Sequence, residues 1–117
     1  MKKLRLLFCL CSLAILSSCG DEKVFDQNLI VGKWKQGTEY YRYDANHTGV
    51  TWDVADDVSE DEAQRFNWEI QDDQLTIVHL MEMGGQIPKT YELLVLDANT
   101  LSFKDDYYKT YTFTRVR

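Results

Sequence analysis

The chain has 117 residues, of which 44% are hydrophobic and 13% aromatic, and its formal net charge is −6. This length holds one domain, which excludes a two-domain cofactor enzyme and a membrane core of many helices. The acidic charge excludes a nucleic-acid binder, because phosphate contacts require a clustered positive face. The aromatic content is typical of a folded domain rather than of a disordered chain.

The N-terminus has the parts of a lipoprotein signal peptide in the correct order. Three basic residues within the first five positions precede an apolar run at residues 6–16. That run is shorter than the roughly 20 residues that a membrane-spanning helix needs. The sequence Leu16-Ser17-Ser18-Cys19 then resembles the bacterial lipobox. The resemblance predicts that residues 1–18 are cleaved off and that Cys19 is lipidated.

Cleavage would change the length, the net charge and the cysteine content of the protein. It leaves 99 residues, and the loss of three basic residues moves the net charge from −6 to −9. Cys9 and Cys11 would be removed and Cys19 would carry lipid, so the mature chain would contain no disulfide. Residues 19–28 would form the lipidated linker, and residues 29–117 the domain.

Lipidation of Cys19 predicts that the protein is attached to a membrane. We expect this membrane to be the outer membrane of the bacterial cell envelope. Multiple acyl chains hold a protein stably to a bilayer, whereas one chain does not. The acidic segment at residues 20–23 resembles the surface-export signals of Bacteroidetes lipoproteins. A plain polar tether is the alternative interpretation, and it leaves open whether the protein faces the periplasm or the cell surface.

The rest of the chain has the period-two pattern of β-strands. Residues 64–71 place Phe66, Trp68 and Ile70 on one face, and β-branched and aromatic residues are enriched throughout. Further strands are predicted in a series of segments with turn residues between them: 38–44, 74–81, 90–96, 101–103 and 109–116. Residues 53–63 read as a long acidic loop with room for one helical turn.

About eight short strands joined by local turns predict an all-β fold with antiparallel neighbours. A small up-and-down β-barrel satisfies this pattern, because closure removes the unpaired strand edges. A sandwich of two sheets is the alternative.

Two ends of the chain carry a family resemblance. Gly32-Lys33-Trp34 resembles the Gly-x-Trp signature at the start of the lipocalin barrel, and Arg115 matches the arginine that packs across that tryptophan. A guanidinium lies flat on an indole ring, which makes this a sound plug for one barrel end. Across residues 28–116 the chain resembles the small lipocalin-like lipoproteins of Bacteroidetes. It is far shorter than full-length lipocalins and lacks their C-terminal helix and disulfides, which argues against a roomy cavity.

No pattern in the chain predicts catalysis, a metal or a cofactor. The acidic residues of segment 53–63 do not follow the alternating spacing of an EF-hand, so a solvated charge run is the favoured interpretation over calcium binding. His47 and His79 are the only histidines, and neither has a second ligand nearby in sequence. The chain contains no nucleophile elbow, phosphate loop or dinucleotide fingerprint. We therefore expect that the protein is not an enzyme.

The aromatic residues favour a binding function instead. Phe66 and Trp68 are expected to face the barrel interior, and five further residues are expected to line an open mouth: Tyr41, Tyr43, Trp52, His79 and Met81. A pocket of aromatic side chains with a few polar groups is the usual site for a small molecule. The sequence thus predicts an envelope protein that binds a small apolar or amphipathic ligand without catalysis. The alternative is a filled barrel that contacts an envelope protein or a glycan.

Overall fold

The computed structural model describes residues 24–117, so the predicted signal peptide and lipidated Cys19 lie outside the described residues. Eight strands follow one another along the chain: β1 (Gly32–Gln36), β2 (Glu39–Tyr43), β3 (Thr48–Asp53), β4 (Gln64–Gln71), β5 (Gln74–Leu80), β6 (Gln86–Leu96), β7 (Thr100–Lys104) and β8 (Thr110–Arg115). Three short 3₁₀ turns complete the regular structure: Gln27–Ile30, Val54–Asp56 and Glu60–Glu62. Within residues 24–117, no helix has the length and apolar character needed to cross a bilayer.

The strands form a closed antiparallel barrel in which each strand pairs with its neighbours in sequence. Closure occurs between β1 and β8, where Trp34 lies opposite Arg115 and Lys35 opposite Thr114. The predicted up-and-down barrel is therefore confirmed, and the two-sheet sandwich is excluded. This is the small lipocalin-like architecture, and its closure leaves no strand edge along the β1–β8 seam.

The up-and-down order sends alternate loops to opposite ends of the barrel. The β1–β2, β3–β4, β5–β6 and β7–β8 loops lie at one end, which we call the open end. The β2–β3, β4–β5 and β6–β7 loops lie at the other, which we call the closed end. The 3₁₀ turn Gln27–Ile30 also lies at the closed end, and its Ile30 is fully buried.

Large side chains fill the barrel interior. Among residues 24–117, the largest fully buried ones come from seven of the eight strands and from the N-terminal turn: Ile30, Trp34, Tyr43, Phe66, Leu75, Ile77, Leu93, Leu101 and Phe113. Their alternation along each strand is the period-two signal that the sequence carries. Burial of this much apolar area is what stabilises a domain for which the sequence predicts no disulfide.

Strand β6 is longer than the sequence pattern indicates, because it begins at Gln86 rather than at residue 90 and runs through Pro88. Proline normally breaks a ladder because it has no N–H to donate. Leu93 donates its backbone N–H to Asp73, on the side of β5. The backbone N–H groups of odd-numbered residues in this part of β6 therefore point toward β5. The backbone nitrogen of Pro88 points toward the opposite edge of the strand. Since β6 pairs with β7 only from Glu92 onward, proline costs no ladder bond there.

The folded domain also begins earlier than the predicted boundary at residue 29. Phe25 packs against the core, and Asp26 caps the first 3₁₀ turn by accepting a hydrogen bond from the Asn28 N–H at 3.0 Å. The last residues of the predicted linker therefore belong to the domain. The sequence did not predict that these residues pack onto the barrel, because one aromatic residue and one turn produce no periodic pattern.

Candidate functional site

Trp34 and Arg115 form the plug of the closed end. The Arg115 guanidinium carbon lies 4.2 Å from the centre of the Trp34 ring, and the indole N–H donates to the Ile30 carbonyl at 2.8 Å. Gly32 has φ = +134°, and a Cβ there would collide with the guanidinium. Arg115 also donates to the carbonyls of Leu29, Val31 and Ala98. The contact expected from the Gly-x-Trp pattern is thus present, and it seals this end against a ligand.

Trp68 fastens the β2–β3 loop at the same end. Its indole nitrogen donates to the carbonyls of Asp44 and Thr48, at 3.1 and 3.0 Å. The His47 ring stacks on the indole, with 4.4 Å between ring centres, and its Nδ1 lies 3.1 Å from the Trp68 carbonyl oxygen. The side chains of Trp68 and His47 therefore hold the β2–β3 loop in place.

Three of the predicted ligand-binding residues belong to the core instead. Tyr43, Phe66 and Trp68 are 1%, 0% and 4% exposed and contact one another through edge-to-face ring pairs. Phe66 and Trp68 do face inward as predicted, but both belong to the buried core cluster. Gly49 on β3 leaves the space that the Phe66 ring occupies, since a Cβ there would overlap it. The prediction that Tyr43 lines an open mouth is therefore wrong.

Trp52 lies on the outer surface of the barrel, so its assignment to the mouth is wrong. It stacks on the neighbouring Tyr40 with 5.2 Å between ring centres, and the Lys33 ammonium covers it at 5.6 Å. The acidic loop packs on this side, because Glu60 bridges Lys33 and Arg42 with 2.7 Å contacts to each. The acidic loop of residues 53–63 is thus fastened along the barrel wall, and its two 3₁₀ turns replace the single predicted turn.

The open end contains a group of polar aromatic residues around one carboxylate, which we call the tyrosine cluster: Glu39, Tyr41, Tyr91 and Tyr111. Glu39 and Tyr41 alternate on the inward face of β2, in line with the buried Tyr43. Tyr91 comes from β6 and contacts Tyr111 of β8 with 6.0 Å between ring centres. The Tyr111 hydroxyl donates to Asp105 at 3.1 Å, which ties the β7–β8 loop to the cluster.

Burial is the largest cause of the raised pKa of each tyrosine in the cluster, and the Glu39 charge raises all three further. Burial and, after it, the neighbouring Asp53 carboxylate raise the pKa of Glu39, while Lys109 and Lys89 act in the opposite direction. Burial also raises the pKa of Tyr41, with the Glu39 charge as the next cause. Burial and the nearby Tyr111 raise the pKa of Tyr91 to about 12. Perturbed groups of this kind at a barrel mouth make the cluster a candidate binding site.

Two further predicted residues, His79 and Met81, lie at the rim of the open end. His79 is on the inward face of β5 opposite Ile87, and burial followed by Lys89 lowers its pKa. Met81 is 40% exposed and accepts a hydrogen bond from the Gln64 amide at 3.4 Å. Ile87, which the sequence analysis did not single out, is 46% exposed on the same inner side of the hairpin. The mouth therefore has an apolar lip.

A groove of about 440 Å³ opens beside the cluster, between β6 and the β7–β8 loop. Lys89, Tyr91, Asp105 and Tyr111 are among its lining residues. Its volume lies within the range that accommodates small ligands. Of the predicted ligand-binding residues, the open end thus brings together Tyr41, His79 and Met81.

Sequence reasoning missed Glu39, Tyr91 and Tyr111 as members of the site. Glu39 could have been found, because it shares the two-residue period of Tyr41 and Tyr43. The two tyrosines could not, since only the pairing of β6 with β7 and β7 with β8 brings them opposite each other.

Within residues 24–117, no group of three or more histidine, cysteine or acidic side chains is arranged to hold a metal ion. Comparisons with protein families, with curated proteins and with solved structures each find no match to this chain.

Proposed function

We propose that this protein is a lipid-anchored component of the bacterial cell envelope that binds a small amphipathic ligand, without catalysis, at the open end of its barrel. The observation that carries the proposal is the tyrosine cluster beside an exposed apolar lip. The cluster offers hydroxyl groups and one carboxylate, and Met81 and Ile87 offer apolar surface within the same mouth. Such a ligand would bind at the mouth rather than deep in the lumen, because large side chains fill the core.

The position of the N-terminus supports an anchored role. The chain enters the barrel at the closed end, through the 3₁₀ turn Gln27–Ile30 that packs near the Trp34 plug. A lipid on Cys19 would therefore tether the closed end and leave the open end directed away from the membrane. Substitution of Cys19 by Ala is expected to release the protein from the membrane fraction. Unchanged partitioning would contradict the anchor.

The ligand proposal is tested by calorimetric titration with a panel of fatty acids, haem, bile-acid-like compounds and alkylammonium compounds. We expect saturable binding by at least one class, accompanied by shifts of tyrosine ring signals in NMR spectra. The variant Met81→Asp should weaken binding about tenfold, because it places a charge where the apolar part packs. The control is Val95→Asp, since Val95 has a similar exposure of 39% but lies toward the closed end of β6. The absence of saturable binding by every compound of the panel would contradict the proposal.

A second function, contact with an envelope protein, is favoured by a separate observation. Of the eight exposed large hydrophobic residues within positions 24–117, six lie in or beside open-end loops: Val54, Met81, Met83, Ile87, Tyr107 and Tyr108. Such clustering is typical of interaction surfaces. Met83 is 97% exposed at the β5–β6 hairpin tip, beyond the mouth itself. A photo-crosslinker at Met83 should then give one discrete product in cells, and a crosslinker at Val95 none.

A further inference from the structure

The Glu39 carboxylate lies in the mouth and forms no ion pair with a residue of the described chain. Among residues 24–117, no lysine, arginine or histidine nitrogen lies within 4.0 Å of it, whereas Glu60 has two such contacts. Glu39 is half-buried on the inward face of β2, next to Tyr41. Lys109 and Lys89 act on this carboxylate only from a distance, and a partly buried carboxylate without a direct ion pair is a group that a cation would stabilise.

The aromatic rings beside Glu39 form a continuous wall across the barrel. Tyr41 contacts Phe113 at 5.3 Å, Phe113 contacts Phe103 at 5.5 Å, and Phe103 contacts Tyr91 at 4.6 Å, all between ring centres. Tyr111 extends this wall to the lip of the mouth, 6.0 Å from Tyr91. Aromatic faces carry negative electrostatic potential and attract ammonium groups, most strongly where water is excluded.

The protein itself already places a cation on this wall. The ammonium of Lys109, on the exposed β7–β8 loop, lies 5.1 Å from the centre of the Tyr111 ring. The ring face is therefore accessible to an ammonium group and attractive to it. Lys109 is a flexible surface side chain, so a ligand can displace it without disturbing the barrel.

A buried hydroxyl at the inner end of this space also lacks a partner. Tyr43 is 1% exposed, and its hydroxyl oxygen makes no hydrogen bond within the described residues. Tyr43 lies two residues from Tyr41 and four from Glu39 on the same inward face of β2, and it stacks near Tyr41 at 6.1 Å. An unsatisfied buried hydroxyl is unfavourable, so a polar group or water carried in with a ligand would relieve it.

We propose that the open end recognises amphipathic molecules that carry a positively charged organic ammonium group, with the ammonium held between Glu39 and the aromatic wall. This inference rests on the proposed ligand-binding function and specifies its ligand class. The apolar part of the molecule would cover the exposed lip formed by Met81 and Ile87. Neutral or anionic amphiphiles would share the lip but would gain nothing from Glu39.

The test compares three probes with the same eight-carbon chain: octyltrimethylammonium, octanoate and octyl glucoside. The chain from residue 20 onward is used, because it contains the eight strands of the closed barrel and the core cluster described for residues 24–117. Calorimetric titration should show octyltrimethylammonium binding about tenfold more tightly than octanoate. Glu39→Gln should weaken octyltrimethylammonium about tenfold and change octyl glucoside less than about twofold.

Two control variants make the result specific to Glu39. Glu69→Gln removes the same charge from the exposed outer side of β4 and should leave all three affinities unchanged. Glu39→Asp keeps the charge and should retain most of the ammonium preference. Circular dichroism and the unfolding midpoint establish that each variant is folded. If Glu39→Gln does not fold, the Glu39→Asp series and the comparison of the three probes decide the question.

The outcomes separate this inference from the function on which it rests. Equal affinities for the three probes, or an ammonium affinity that Glu39→Gln leaves unchanged, overturn the ammonium preference and leave amphiphile binding intact. No binding by any of the three probes overturns the ammonium inference, and silence of the wider panel as well overturns both. A preference lost in Glu39→Gln and kept in Glu69→Gln supports both.

Discussion

Removal of the Arg115 side chain is the sharpest perturbation of the closed end. Arg115→Ala deletes the cation–π contact with Trp34 and the hydrogen bonds to the carbonyls of Leu29, Val31 and Ala98. A cation–π contact contributes about 0.5–1 kcal/mol at a partly exposed site. Hydrogen bonds from a charged donor contribute about 1.5–3 kcal/mol each, less where water can replace the donor. We expect a loss of about 3 kcal/mol in the free energy of unfolding, by these contributions.

Urea unfolding followed by tryptophan fluorescence measures this loss. For a domain of this size, 3 kcal/mol corresponds to a fall of roughly 12–24 °C in the melting temperature. Arg115→Lys keeps a charge above the ring but loses the planar fork of donors, so it should recover only about 1 kcal/mol. The matched control is Arg117→Ala, because Arg117 is exposed and, in the described part of the chain, its side chain hydrogen-bonds to Asn99 alone. A change below about 0.5 kcal/mol in Arg115→Ala, or one equal to that of Arg117→Ala, would refute the reasoning.

Four further outcomes follow from single contacts. Gly49→Ala should cost more than about 2 kcal/mol in urea unfolding, because its methyl group would overlap a backbone oxygen and the phenyl ring that fills the barrel; near-normal stability would contradict this. Glu60→Gln should cost about 0.5–1 kcal/mol at low salt and less at high salt, whereas Glu62→Gln, its neighbour on the same turn, should change little. Tyr43→Phe should raise the unfolding free energy by about 1 kcal/mol, since it removes an unsatisfied buried hydroxyl, and a loss of that size would contradict the assignment. Burial lowers the pKa of His79, so the unfolded chain binds its proton first as the pH falls below about 6.5. Lowering the pH from 7.5 to 5 should therefore reduce the free energy of unfolding of the wild type more than that of His79→Gln. A larger reduction in His79→Gln would contradict this reasoning.

The mouth residues show where reasoning from the sequence stops. In β3, Val50 and Trp52 alternate with Gly49 and Thr51, and the apolar pair would ordinarily be assigned to the interior. The register instead turns Val50 and Trp52 outward, because Gly49 faces inward and leaves space for Phe66 from β4. Trp52 is then buried from outside, under Lys33 and the acidic loop.

The sequence by itself determined the local features: eight strands, their two-residue alternation, the inward faces of β4 and β5, and a tryptophan with an arginine to cover it. These follow from residue spacing within single segments, which the order of residues records directly. The tertiary structure alone decided which end is open, which face of β3 is inside, and that Tyr91 contacts Tyr111 at the mouth. Those facts depend on how neighbouring strands are aligned, and a shift of one residue would turn every side chain of a strand to the other face.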